Sequence, residues 1–201
     1  MSAENEYARL IEKVKSGDRE AANELADLLR PRLAVYLYRL TLDSHLTEDL
    51  CQETLLEMVR FINHLENNSC FWSWIRTIAV NKLYLQSAKK RKIREVALAD
   101  MRPLKCPEDS NEGLKKMIND EWKQSVLNAM HHLKPRHREV IVMRCFEQME
   151  YCDIARDMGC SEFGIRMLFH RAKKALTKQL SKRGIQKQYL LGALTVFAHL
   201  T

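Results

Sequence analysis

Between Leu133 and Leu176 the chain reads LKPRHREVIVMRCFEQMEYCDIARDMGCSEFGIRMLFHRAKKAL, a helix, a short link, and two helical segments parted by Gly159-Cys160-Ser161. Ala155, the reversal at Gly159 and the apolar Ile165 fall where a helix-turn-helix needs close contact, a change of direction and a packing anchor. Ser161 can cap the following helix by accepting a hydrogen bond from a free backbone N–H. Ile154, Met158, Ile165, Phe169, Ala172 and Leu176 recur at helical spacing and make the expected shared core.

The opposite face of that last helix is left to solvent or a ligand. It carries Arg166, His170, Arg171, Lys173, Lys174, Lys178, Lys182 and Arg183, with no Asp or Glu from Arg166 to Arg183. A basic run is in general a solvated helix face. Behind a helix-turn-helix it points to phosphate attraction. The net charge of +7 conceals a division, because Lys82 to Arg94 holds six basic residues and Arg166 to Arg183 seven, without an acid in either. Removing those thirteen from 33 leaves 20 basic against 26 acidic residues, a balance of −6. Two positive blocks on an acidic body suit a polyanion touched at two places rather than a coated membrane.

Apolar content of 46% with only six Gly and four Pro in 201 residues suits compact helical folding with room for one large or two small domains. The opening MSAENEYARL lacks a basic run and an apolar core, and the apolar stretch near the C-terminus is too short and interrupted to span a bilayer. A cytoplasmic protein without membrane insertion is expected. The six cysteines, Cys51, Cys70, Cys106, Cys145, Cys152 and Cys160, form no CxxC pair and no zinc-type arrangement with histidine. No metal and no cofactor is expected, and free thiols suit a reducing compartment. Cys145, Cys152 and Cys160 near the helix-turn-helix suggest a redox or metal switch only weakly, because cysteine often serves as a small buried hydrophobe. His131, His132 and His137 carry the same discount.

The spacing predicts helices over Tyr7 to Lys15, Arg19 to Leu42 with an interruption near Pro31, and Thr47 to Leu65, with a break at Gly17-Asp18. Between 97 and 120 the apolar rhythm fades and Pro103, Pro107 and Gly113 appear, which marks a linker. A further helix from Asn119 to Leu133 would lead into Pro135, at home in the first turn of the next. The fold class is therefore all-α, two small helical domains joined by a flexible linker, the second a helix-turn-helix of winged-helix-like type. The helix from Thr47 places Cys51, Leu55, Met58, Val59 and Ile62 on one side and Asp49, Glu53, Glu57 and Arg60 on another. After it, Phe71, Trp72, Trp74 and Tyr84 lie close to Arg76, Lys82 and the run Lys89-Lys90-Arg91-Lys92, a mixture suited to unstacked bases along a phosphate backbone. Phe71, Trp74, Ile75 and Ile78 are spaced like a helix core, so Trp72 is the candidate for an exposed platform. In the tail, Leu190, Leu194 and Phe197 at helical steps suggest a short helix packed on the second module, with a partner-binding tail as the alternative.

EDLCQETLLEMV, then CFWSWIRTIAVNKL, then the helix-turn-helix run together resemble bacterial RNA polymerase sigma factors of the extracytoplasmic-function group, from residue 6 to 180. The resemblance implies a region-2-like domain over 6–96 that binds core polymerase and recognises and melts the -10 element, a linker over 97–118, a region-4-like domain over 119–185 that reads the -35 element, and an extension over 186–201. By the same resemblance Asp49, Gln52 and Glu53, with Glu57 a turn further, dock on core polymerase, whose beta-prime and beta subunits are the partners. Asn67, Asn68 and Ser69 would capture a flipped base, and Trp72, Arg76, Asn81, Lys82, Lys89, Lys90 and Arg91 would meet the melted -10 DNA. Extruding a base costs a few kcal/mol, which stacking and backbone contacts must offset. Ser161, Glu162, Phe163, Arg166, His170, Arg171 and Lys174 would meet the -35 DNA. An anti-sigma factor wedged between the modules is the implied inhibitor.

Four positions depart from the family pattern. Trp72 stands where a basic residue is usual, Phe163-Gly164 replaces Gly-Thr, and Leu168 replaces Arg, so an atypical -35 sequence is expected. Gly164 in the first turn of the recognition helix forfeits up to about 1 kcal/mol of helix propensity relative to Ala, a loss that either serves close approach to the DNA backbone or is simply tolerated. Without paired carboxylates at metal spacing, a phosphate-cradling Gly-rich loop or a nucleophile motif, no enzyme is expected. The competing function is a stand-alone helix-turn-helix transcriptional regulator, whose first module would serve sensing or dimerisation.

Overall fold

The computed structural model describes residues 3–94 and 125–182, with side chains over 6–87 and 125–182. The expected linker at 97–118, the first residues of the expected second domain and the extension at 186–201 lie outside the described residues. The chain divides into two compact units, residues 1–103 and 104–201. The described residues form helices and short turns without a strand, which makes the fold all-α.

In the first unit, α1 (Ala3–Lys15) stops at Gly17, whose φ of +91° costs a residue without a Cβ little. The Gly17 N–H donates to Val14 O at 2.9 Å and the Asp18 N–H to Lys13 O at 3.1 Å, closing the helix end. Asp18 then opens α2 (Arg19–Thr41), its carboxylate accepting from the N–H groups of Glu20 and Ala21. Contrary to the expected interruption, α2 runs unbroken through Pro31. The ring of Pro31 is exposed while Leu25, Leu29, Leu33 and Leu37 are buried, so packing holds the helix together despite the lost hydrogen bond. Leu42, at φ +57°, ends α2 by donating its N–H to Tyr38 O at 2.8 Å. The buried hydroxyls of Thr41 and Thr47 lie 2.7 Å apart and fasten this corner.

Asp43 caps α3 (Ser44–Phe61), which starts earlier than expected and tightens into a 3₁₀ turn over Ile62–His64. A second 3₁₀ turn, Asn68–Cys70, leads into α4 (Phe71–Arg94). Cys51, Leu55, Met58 and Ile62 are buried as the spacing implies, whereas Val59 is 44% exposed. Four of the five expected positions fill the inward stripe of α3, and Val59, one residue past Met58, is rotated out of it. Phe71 and Ile75 join the same core, and Trp74 is half-buried against Phe71 with ring centres 6.3 Å apart.

In the second unit, residues 125–131 form α5. The Arg138 guanidinium donates to Met130 O at 3.1 Å and His131 O at 3.0 Å at the end of α5, where Met130 O also accepts from the Leu133 N–H at 3.0 Å. Pro135 occupies the first turn of α6 (Pro135–Ile141), which passes into a π turn over Val142–Phe146. Then come α7 (Tyr151–Asp157) and α8 (Glu162–Ser181), with α6 and α7 both packed on α8. Ile154, Ile165, Ala172 and Leu176 are buried, joined by Leu180. Met158 and Phe169, expected in the core, are only half-buried. Phe169 sits at its margin, its ring edge-on to Tyr151 at 5.9 Å and under the Lys173 ammonium at 5.2 Å.

Because Pro31 lies on the solvent side of an intact helix, Pro31→Ala restores a backbone hydrogen bond without disturbing the core. The substitution is expected to raise the stability of the first unit by about 1 to 3 kcal/mol, read as a higher urea midpoint by circular dichroism. A lower midpoint would show that the ring supports the fold.

Candidate nucleic-acid interface

The reversal between α7 and α8 is built from few atoms. Gly159 takes φ +62°, the Cys160 N–H donates to Ala155 O at 2.9 Å, and the Gly159 N–H donates to Arg156 O at 3.3 Å. Ser161 starts α8, its hydroxyl accepting from the Gly164 N–H at 3.1 Å. A Cβ on Gly164 would lie 3.1 Å from that same hydroxyl, so glycine leaves room for the cap. The Arg136 guanidinium donates to Met158 O and to Cys160 Sγ, both at 3.2 Å, and so ties the first turn of α6 to the reversal.

Burial of Ile165, Ala172, Leu176 and Leu180 turns the other face of α8 outward. Ser161, Glu162, Phe163, Arg166, His170, Arg171 and Lys174 are all exposed there, with Lys178 and Lys182 further along. The Glu162 carboxylate accepts from Arg166 Nε at 3.1 Å and pairs with its outer nitrogen. The Arg166 guanidinium also lies 4.6 Å from the ring of Tyr151, which the Arg144 guanidinium approaches to 4.8 Å. Arg144 in turn donates to Met149 O and Glu150 Oε1, holding the turn before α7. Tyr151, Arg144 and Arg136 were not singled out from sequence. Only the density of Arg and aromatic residues in this stretch signals them, because their partners are set by folding.

In the first unit, Asp49, Gln52 and Glu53 are exposed on α3. Leu56, 61% exposed, and Val59 extend that face, so it is acidic and apolar rather than purely acidic. Glu57 departs from the expected free stripe: it is half-buried and forms an ion pair with Lys82 of α4, which joins two residues expected to meet different partners. Asn67 and Ser69 are exposed, with Asn67 Oδ1 accepting from the Ser69 N–H at 3.0 Å and its hydroxyl at 2.8 Å. Asn68 is held from below by α1, donating to Glu12 at 2.8 Å and accepting from the Lys15 ammonium at 3.2 Å.

Trp72 and Arg76 both differ from expectation. Trp72 is half-buried rather than a free platform: Arg32 lies over its ring at 4.1 Å and Tyr36 meets it edge-on at 5.8 Å. Arg76, expected on the DNA-facing side, is 6% exposed, with its guanidinium 5.9 Å from the same ring. One turn after Trp72 on α4, it shares the inward side of that helix, which carries Ile75 and Ala79 into the core. Asn81 is exposed. Lys89, Lys90 and Arg91 lie in the last turns of α4, with side chains outside the described residues.

Residues 25–93 match the family model for sigma-70 region 2, and residues 123–176 match that for sigma-70 region 4. The chain belongs to the extracytoplasmic-function group of the sigma-70 family. It is similar to the sigma-E factor of Haemophilus influenzae, with 27% identity over 85% of this chain and 93% of that one. It is also similar to the sigma-H factor of Pseudomonas aeruginosa, with 24% identity over 90% and 96% of the two chains. In fold it is similar to the sigma factor RpoE of Bartonella quintana, solved with the anti-sigma factor NepR, at TM-score 0.62 and 23% identity over 79% of this chain and 96% of that one. CnrH, solved with the cytosolic domain of CnrY, aligns at TM-score 0.59 and 18% identity over 88% and 97%. This sigma factor therefore directs transcription initiation from promoters.

Among its described residues no cluster of His, Cys, Asp and Glu has metal-holding geometry, and no helix is long and apolar enough to cross a membrane. Cys51, Cys70, Cys145, Cys152 and Cys160 are free thiols. Burial pushes the Cys145 thiol up to about 11, outweighing the nearby cations Arg144 and Lys173, and burial also raises that of Cys51. Because the thiolate is the reactive form, alkylation at pH 8 is expected to reach the exposed Cys70 and Cys152 first and Cys145 and Cys51 last. Peptide mapping after a short iodoacetamide pulse measures the order. Early modification of Cys145 would show an opening of the second unit.

Proposed function

We propose that residues 6–96 bind core RNA polymerase and the melted -10 DNA, that 119–185 read the -35 element, that 97–118 link them and that 186–201 form an extension. The observation that carries this is the presence, in one chain and in order, of two family regions that each expose a helix face of distinct chemistry. On α3, Asp49, Gln52 and Glu53 with Leu56 and Val59 offer the polymerase an acidic and apolar surface. On α8, the exposed Arg171, Lys174 and Lys178 offer a phosphate-binding face.

Within the -10 surface, Asn67, Ser69 and Asn81 are the exposed candidates for base and backbone contact. Lys82 reaches DNA by exchanging Glu57 for a phosphate, and Arg76 with Arg32 and Tyr36 sets the posture of Trp72. Lys89, Lys90 and Arg91 extend the cationic path. The protein acts in the cytoplasm, without catalysis of its own. Its inhibitor is an anti-sigma factor, by analogy with RpoE of Bartonella quintana, which was solved with the anti-sigma factor NepR.

Run-off transcription with purified core polymerase and a promoter library tests the whole. New transcripts that depend on this chain are expected, whereas absence of both transcripts and core binding would revive the stand-alone regulator. Two variants separate the surfaces. Leu56→Ser is expected to weaken core binding about tenfold with DNA affinity retained. Arg171→Ala is expected to lower affinity for all duplexes and to reduce the salt slope by about one.

A further inference from the structure

Phe163 is 74% exposed and Met167 39% exposed, and they are the two large exposed apolar side chains among the described residues of the second unit. Both lie on α8 four residues apart, so they share a face. With Arg166 and His170 they occupy positions i, i+3, i+4 and i+7 of one outward stripe. Phe163 is the second residue of α8, and in a helix-turn-helix the first residues of the second helix meet base edges in the major groove. The neighbouring cation is already engaged, since Arg166 has Glu162 on its edge and Tyr151 on its face. What projects unencumbered at this tip is therefore apolar. The major groove offers one apolar mark, the 5-methyl group of thymine.

We infer that Phe163, seconded by Met167, reads thymine methyl groups in the -35 element, so that this chain selects T·A pairs opposite the first turn of α8. The inference rests on α8 being the -35-reading helix. Arg166 then positions the stripe and contacts phosphate or base only after releasing Glu162.

The test uses holoenzyme assembled from the full chain and core polymerase, first to select bound duplexes from a library randomised across the -35 region. Selected duplexes are expected to carry T, on either strand, at one or more positions facing the start of α8. Replacing that T with deoxyuridine, which lacks only the methyl, should weaken holoenzyme binding about fourfold per methyl. Phe163→Ala holoenzyme should bind the T and U duplexes equally while keeping core affinity and the salt dependence of the parent. Phe163→Leu, which keeps an apolar group, should retain part of the preference. Equal binding of T and U duplexes by the parent holoenzyme overturns the inference and leaves the -35 assignment standing. A chain that binds core polymerase but selects no -35 sequence overturns both.

Discussion

The left-handed turn at Gly159 fixes where α8 points, and the recognition surface depends on it. With φ at +62° the chain reverses in one residue, two hydrogen bonds close the end of α7, and Ser161 opens α8 at once. So short a connection leaves α8 little freedom to roll about its own axis. Ile165, Ala172, Leu176 and Leu180 then have to face the core, and the arginines, lysines and Phe163 have to face away. Arg136 strengthens the same point from α6 by binding the carbonyl and sulfur at the reversal.

Charge is sorted by a second rule, that a cation stays where its partner can reach it. On the outer turns of α8, Lys174, Lys178 and Lys182 are exposed and follow one another without an acid from Arg166 onward. At its start, Arg166 is held between Glu162 and Tyr151, and Tyr151 also receives Arg144. The tip is thereby ordered at little electrostatic cost, since exposed pairs of this kind are weak and exchange readily with phosphate. In the first unit the half-buried Glu57 and Lys82 join α3 to α4.

Residue spacing carried most of the fold. The helices, the break at Gly17-Asp18, the Gly159 turn and the Ser161 cap all follow from local chemistry, because glycine conformation, capping oxygens and 3.6-residue periodicity act within a few residues. It was less reliable where burial overrides propensity. Pro31 stays inside α2 because the leucines around it pack, and Val59 leaves the core stripe because the stripe is narrower than the run of apolar residues. Composition and the family resemblance point Trp72 and Arg76 to an open surface, and each is instead drawn inward by neighbours on α2 and α4.

Local sequence thus determined the element order, the two-module plan and the basic face of α8, all of which depend on residues close together in the chain. Tertiary structure alone decided that Glu57 meets Lys82, that Asn68 is clamped by Glu12 and Lys15, and that Arg32 covers Trp72. It also decided that Leu56 and Val59 widen the face of α3 and that Phe163 projects from the tip of α8. These pairings join residues on different helices, and their geometry is set by how buried faces interlock. Periodicity reports which side of a helix is apolar, but not what the neighbouring helix brings to its edge.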